Sequence, residues 1–216
     1  PGDAVLVPQP SYPLLDHLTR LDAVEPVAYP LVYHGAWEVD ADALRSRVTP
    51  RTRAIVVVHP NNPTGSFLTA ADRALVTEVC RDYGLALIAD EVFGGYAMDP
   101  ESGPGSLVDP AAEVLTFGLG GLSKAVGLPQ LKLGWIVLSG PSQEVDGALH
   151  ALDVICDTYL SVATPVQVAL DGLLARGRAV ADQISTRVRQ NHSALTRDVA
   201  TAPATDLLRV DGGWYA

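Results

Sequence analysis

The chain has 216 residues and is 48% hydrophobic, enough for one large core or a core with a small appendage. Acidic side chains outnumber basic ones 25 to 15, and the formal charge of −10 argues against a general nucleic-acid or anionic-membrane surface, while a local basic pocket for one small anion stays open. No run of about 18 apolar residues exists to span a membrane and no signal peptide is visible, so Cys80 and Cys156, which lack metal-ligand spacing, are expected to be buried free thiols in a reducing, cytoplasmic compartment.

In chain order, the first apolar run is Ala4–Val7, followed by "PQPSYPL", where Tyr12 stands between prolines near the start of a helix. Ala54–Val58 comes next and leads into "HPNNPTG", a rigid turn with two asparagines. In "LTAADRALVTEVCRDYG", Thr69 and Asp72 form an N-terminal capping pattern. Leu75, Val76, Val79, Cys80 and Tyr83 make one apolar helical face, and Gly84 suits the position after the last turn. Leu85–Ala89 runs into "ADEVFGGY", "PESGPGSLVDP" (100–110) reads as an exposed loop, and Val114–Phe117 precedes "GLSKAVGLPQLKLGW". Leu133–Leu138 is the last strand candidate. These runs are continuously apolar, as strands of a parallel sheet covered on both faces should be. Alternation with helices predicts an α/β fold with a mostly parallel, doubly wound sheet.

Beyond Pro141 helices are expected over 142–157, 164–175 and 178–199. The last is long and polar and reads as a connector, which sets the expected division at a large domain over 1–178 and the start of a second, smaller α/β domain over 179–216. With Pro1 at one end and "DGGWYA" at the other, both ends read as cuts through a longer protein.

In an open α/β sheet ligands bind outside the carboxyl ends of the strands, so the polar residues there carry the chemistry. Tyr12 either packs under its loop or stacks on a flat ligand ring. Asn62 either completes a turn or offers its amide to a ligand oxygen. Asp90 ends a wholly apolar strand, a costly place for a carboxylate unless a cation or hydrogen-bond donor meets it; loop hydrogen bonding is the commoner explanation. Glu91, on the opposite side of the pleat, is expected in a structural salt bridge. Lys124 and Lys132 stand in a Gly-rich loop and have no acidic neighbour in sequence. They are either solvated loop lysines or, respectively, a Schiff-base lysine and a phosphate ligand alongside Ser123. The order Gly-Lys-Ser/Thr of a phosphate-loop NTPase is absent, and so is G-x-G-x-x-G.

Taken in order, "PSYPL", "PNNPTG", "ADEVF" and "GLSKAVGLPQLKLGW" resemble the class I/II aminotransferases, pyridoxal-phosphate enzymes of the aspartate-aminotransferase fold (fold type I). Separations of 28 residues from Asn62 to Asp90, 34 to Lys124 and 8 to Lys132 support the resemblance, which covers nearly the whole chain. It implies that Lys124 forms the Schiff base with pyridoxal 5'-phosphate and moves the substrate proton, and that Asp90 pairs with the pyridine nitrogen. It also implies that Asn62 bonds the ring 3′-oxygen, Tyr12 stacks on the ring, and Ser123 and Lys132 hold the phosphate. The implied reaction is transamination between an α-amino acid and a 2-oxo acid, in a homodimer whose partner is reached by "DTYLSVATPVQ" (157–167), with no nucleic acid or membrane involved.

Three positions depart from the family pattern: Phe93 where tyrosine is usual, Lys132 where arginine is usual, and Gly121 where a hydroxyl residue is frequent. Tyr96 is the residue that could replace the phenol lost at Phe93. The family's Gly-rich phosphate loop and its carboxylate-binding arginine are expected before Pro1 and after Ala216. The same residues would serve a β-lyase, a decarboxylase or an aminocyclopropane-carboxylate-synthase-like lyase. An aminotransferase-like sensor domain of a transcription regulator is the reading from another class, and a catalytically silent homologue is disfavoured by Lys124 and Asp90.

Overall fold

The computed structural model describes residues 1–101 and 103–216; Ser102, inside the loop expected over 100–110, lies outside the described residues. Seven strands form one sheet in the order β3-β2-β1-β4-β5-β6-β7. They are β1 (Ala4–Gln9), β2 (Glu25–Tyr33), β3 (Trp37–Val39), β4 (Thr52–Val58), β5 (Ala86–Asp90), β6 (Thr116–Gly121) and β7 (Gly134–Ser139). The central five run parallel, and β3 and β7 are antiparallel edges. The helices are α1 (Leu14–Leu21), α2 (Ala41–Ser46), α3 (Ala70–Tyr83), the single turn α4 (Leu122–Ala125), α5 (Ser142–Thr158) and α6 (Thr164–Val199). Chain order reverses between β1 and β4, which makes that junction the topological switch point.

The core follows from the apolar strands. Leu6, Ile55, Val57, Leu87 and Ala89 are buried against Val76 and Val79 of α3. The expected capping box is present: the Thr69 hydroxyl accepts from Asp72 N while the Asp72 carboxylate accepts from Thr69 N, an arrangement that stabilises a helix start by about 1 kcal/mol. Asp72 also accepts from Val39 N, which fastens β3 to the start of α3. Gly84 takes the left-handed conformation after the helix, as expected. Tyr83, placed on the apolar face by periodicity, is instead half exposed in the last turn.

Several expectations shift. The pairs β2 and β3 were hidden: "EPVAYPLVY" carries two prolines and mixed polarity, yet pairs with β1 along six positions. The Gly-rich loop before Lys124 is largely strand. Gly118, Gly120 and Gly121 belong to β6, and a side chain at Gly120 would fall 2.3 Å from the Trp135 indole nitrogen on β7. The two helices expected over 164–175 and 178–199 form one 36-residue helix, α6, so residue 178 lies within it. Cys80 is buried, but Cys156 is exposed, since α5 buries none of its residues.

Candidate active site

Parallel strands β1, β4, β5 and β6 bring their carboxyl ends to one edge of the sheet, and Tyr12, Asn62, Asp90, Ser123 and Lys124 stand at or just past those ends. The loops after β1 and β4 are stitched together by Asn61. Its Nδ2 donates to Pro10 O (3.1 Å) and Thr64 Oγ1 (2.8 Å), and its Oδ1 accepts from Ser11 Oγ (3.1 Å). Asn61 is buried and structural. Asn62 is only partly buried, and its amide makes no hydrogen bond among the described residues. The stitch sets Tyr12, 43% exposed, beside this turn.

Asp90 closes β5. Its carbonyl accepts from His59 N (2.8 Å), and its Oδ1 accepts from Val92 N (3.2 Å). Burial pushes the carboxyl above the ordinary carboxylate range. The Val92 N–H and the Lys124 charge pull it back, and neighbouring Glu91 pushes it further up. Glu91 faces away, as expected, but finds no salt bridge among the described residues; it accepts from Ser106 Oγ (2.6 Å) and Leu107 N (2.5 Å).

Lys124 lies in α4, directly after β6. It has no ion pair among the described residues. Its Nζ faces two aromatic rings, 5.6 Å from the centroid of Phe93 and 5.4 Å from that of Trp214. The Tyr96 hydroxyl donates to the Lys124 carbonyl at 2.5 Å, so that phenol is already committed and does not fill the gap left by Phe93. Ser123 sits in the same turn. Lys132 is exposed in the left-handed conformation (φ 52°) just before β7, and the hydrogen bond from Leu122 N to Leu133 O (3.0 Å) sets it across from α4. Neither the Ser123 nor the Lys132 side chain makes a hydrogen bond or ion pair among the described residues.

Trp214 escapes any reading by local motif, because it arrives from the far end of the chain. Asp211 N and Gly212 N both donate to Gly65 O (2.8 Å), Gly213 N donates to Tyr96 O (2.9 Å), and Met98 N donates to Asp211 O (2.9 Å). This segment docks Trp214 edge-on against Phe93 (5.1 Å) and Tyr96 (5.2 Å). A second unforeseen group is His59, fully buried at the end of β4. Its Nδ1 accepts from Leu68 N (3.0 Å) and its Nε2 lies 2.8 Å from the Arg73 guanidinium, which also donates to Gly105 O and Ser106 O. Burial and the Arg73 charge push His59 down to about 3, so it stays neutral beside Arg73, which holds the loop at Gly105 and Ser106.

Residues 1–209 match the family described as "Aminotransferase class I and II". The chain belongs to the class I and II aminotransferases. It is 32% identical over 216 residues to glutamate–pyruvate aminotransferase AlaA of Escherichia coli, covering 99% of this chain and 53% of that one. Against alanine aminotransferase of Mycobacterium bovis the identity is 28%, with 100% and 50% covered. The solved alanine aminotransferase from Pyrococcus furiosus superposes with a TM-score of 0.88 at 25% identity, over 98% of this chain and 53% of that one. The chain thus spans about half the length of the relatives it matches.

Class I and II aminotransferases are pyridoxal-phosphate enzymes, and the groups that folding leaves unsatisfied here fit that cofactor. A buried carboxylate wants a cation, the Asn62 amide wants an acceptor, and an amine with no ion pair among the described residues stands near that carboxylate.

Proposed function

We propose that this aminotransferase chain transfers an amino group between an α-amino acid and a 2-oxo acid, with Lys124 as the cofactor-binding and proton-moving residue. The observation that supports this most directly is Lys124 itself, a primary amine with no ion pair among the described residues, set at the carboxyl edge beside an aspartate whose burial calls for a cation. Pyridoxal phosphate, when bound, supplies the electron sink that makes the substrate Cα acidic. Lys124 Nζ would anchor it and, once displaced by the substrate's amine, would be the free amine that takes the proton from the substrate Cα. Asp90 pairs with the protonated pyridine nitrogen, which offsets the cost of its burial. Asn62 donates to the ring oxygen, Tyr12 covers a ring face, and Ser123 and Lys132 bind the phosphate, Lys132 as a point charge rather than a bidentate fork.

The relatives' names put alanine, glutamate and pyruvate first among substrates to try. We extend the proposal to a cytoplasmic homodimer of the full-length protein. Tyr159 and Leu160 are 73% and 83% exposed in the segment expected over 157–167 to meet the partner, and Val168 just after it is 81% exposed. Residues 179–216 are proposed to lead into a smaller second unit. No helix among the described residues is long and apolar enough to cross a membrane.

Borohydride treatment of the full-length protein loaded with cofactor tests the reading. The expected result is a visible absorption band lost on reduction, with the adduct mapped to Lys124. Lys124→Ala is expected to lower transamination by about 10²–10⁴-fold or more without unfolding the protein. An adduct on another lysine, or an active alanine variant, overturns the assignment.

A further inference from the structure

Lys132 sits at φ 52° and ψ 37°, directly after the short 3₁₀ turn Pro129–Leu131. Glycine takes this left-handed conformation freely, whereas a lysine there must be held by its surroundings. An exposed side chain kept at a position that favours glycine implies a use for that side chain, and the Lys132 amine has no ion pair or hydrogen bond among the described residues. What holds the turn is backbone. Leu122 N donates to Leu133 O (3.0 Å), Leu128 N to Leu122 O (3.0 Å) and Leu131 N to Leu128 O (3.2 Å), which closes the stretch from α4 to β7 on itself. Gly121 faces Gly134 in the antiparallel register of β6 and β7. A Cβ at Gly121 would fall 3.1 Å from Leu133 O and 3.3 Å from Gly134 Cα, backbone atoms of the two residues that follow Lys132. Since Gly121 is extended (φ 178°), space and not conformation calls for glycine there. A side chain at 121 displaces the start of β7 by a few tenths of an ångström, and with it the carbonyl that sets Lys132 across from α4.

We propose that Gly121 is a positioning residue for the cofactor's phosphate. By admitting β7 this close to β6 it fixes the left-handed turn that carries Lys132, and the two residues together make this aminotransferase prefer pyridoxal 5'-phosphate to unphosphorylated pyridoxal. This role rests on the assignment of Lys132 to the phosphate and acts through that residue.

Titrating both aldehydes against the full-length protein, with the visible band and borohydride trapping as readouts, separates phosphate contacts from ring contacts. Gly121→Ala is expected to weaken pyridoxal phosphate binding about threefold or more and to leave pyridoxal binding unchanged. Lys132→Gly is expected to weaken pyridoxal phosphate binding about tenfold and to leave pyridoxal binding unchanged. It is also expected to hold or raise the melting temperature of the cofactor-free protein, because glycine relieves the left-handed strain. In the Lys132→Gly background, adding Gly121→Ala is expected to cost less than half of its single effect. Equal losses for the two aldehydes in Gly121→Ala overturn the proposal, since the residue then acts through Lys124, and so do additive losses in the double variant. The Lys132→Gly comparison stands even if Gly121→Ala folds poorly. A lowered melting temperature, or losses that are equal for the two aldehydes, then shows that the turn is not kept for the lysine's charge and overturns the proposal. Absence of any visible band and of Lys124 trapping by pyridoxal phosphate in the parent protein sinks the underlying reading instead.

Discussion

Asp90 shows how a single residue ties folding to ligand. Its carboxyl titrates above the ordinary 3.8 because burial disfavours the charged form. The unfolded carboxyl therefore ionises first as pH rises, and folding stability is lost from about pH 4 upward through the folded midpoint and stays lost at neutral pH. Asp90→Asn removes this penalty. In the cofactor-free protein at pH 7 the variant is expected to melt at or above the parent temperature, while below pH 4 the two converge; its cofactor affinity is expected to fall. Calorimetry at several pH values, together with cofactor titration, checks both arms. Lys124, Asp90 and Asn62 were legible in the sequence because a short polar stretch after an apolar run is visible without coordinates. The division of labour between Asn61 and Asn62 was not, since only the fold reveals that Ser11 and Pro10 reach Asn61 across another loop. Phe93 and Tyr96 were legible as residues, but the hydrogen bond that commits Tyr96 depends on where α4 comes to rest.

At the scale of elements, the position of Lys124 is set by how α4 is wedged. Leu122 and Val126 of that turn are buried under Leu170, Leu173 and Leu174 of α6. At their closest approach stands Gly177, where an added Cβ would fall 2.3 Å from a Val126 methyl and 2.4 Å from its Cβ. Valine is short and stiff, so the clash can be relieved only by moving a helix. Gly177→Ala is expected to destabilise the protein by about 1–3 kcal/mol, despite alanine's better helix propensity, and to weaken cofactor binding by displacing the turn that carries Lys124. Thermal melting and cofactor titration measure the two effects. The same contact explains why polarity alone split α6 into two expected helices: its first half buries leucines and its second half does not, although the backbone is continuous. The apolar strands β1, β4 and β5 were visible in sequence. β6 was only half visible, because its glycines answer to the Trp135 ring on β7 rather than to any local propensity.

For the whole molecule, the arrangement of exposed apolar side chains is the leading observation. Val154, Ile155, Tyr159, Leu160 and Val168 present apolar surface on α5, on the α5–α6 connection and at the start of α6. Val168→Glu costs the single chain little, because the side chain has almost no contacts to lose at 81% exposure. In the full-length protein it is expected to weaken subunit association, giving a concentration-dependent melting temperature and a shift towards monomer in sedimentation. Unchanged sedimentation would show that this face is not the subunit contact. The α/β architecture was readable from continuous apolar runs, whereas the sheet's β2–β3 flank was masked by prolines and the aromatic wall of the site by distance along the chain.

That distance has a consequence for timing. Lys124, Asp90, Asn62 and Tyr12 all leave the ribosome before Trp214, and the backbone bonds from Asp211, Gly212 and Gly213 to Gly65 and Tyr96 form only once residues from the two ends of this span have met. Until then the lysine amine lacks one of the two rings that now flank it. A nascent chain therefore presents the Lys124 amine on an unfinished surface, and the aromatic wall beside it closes in the same event that brings residues 211–214 against Gly65 and Tyr96.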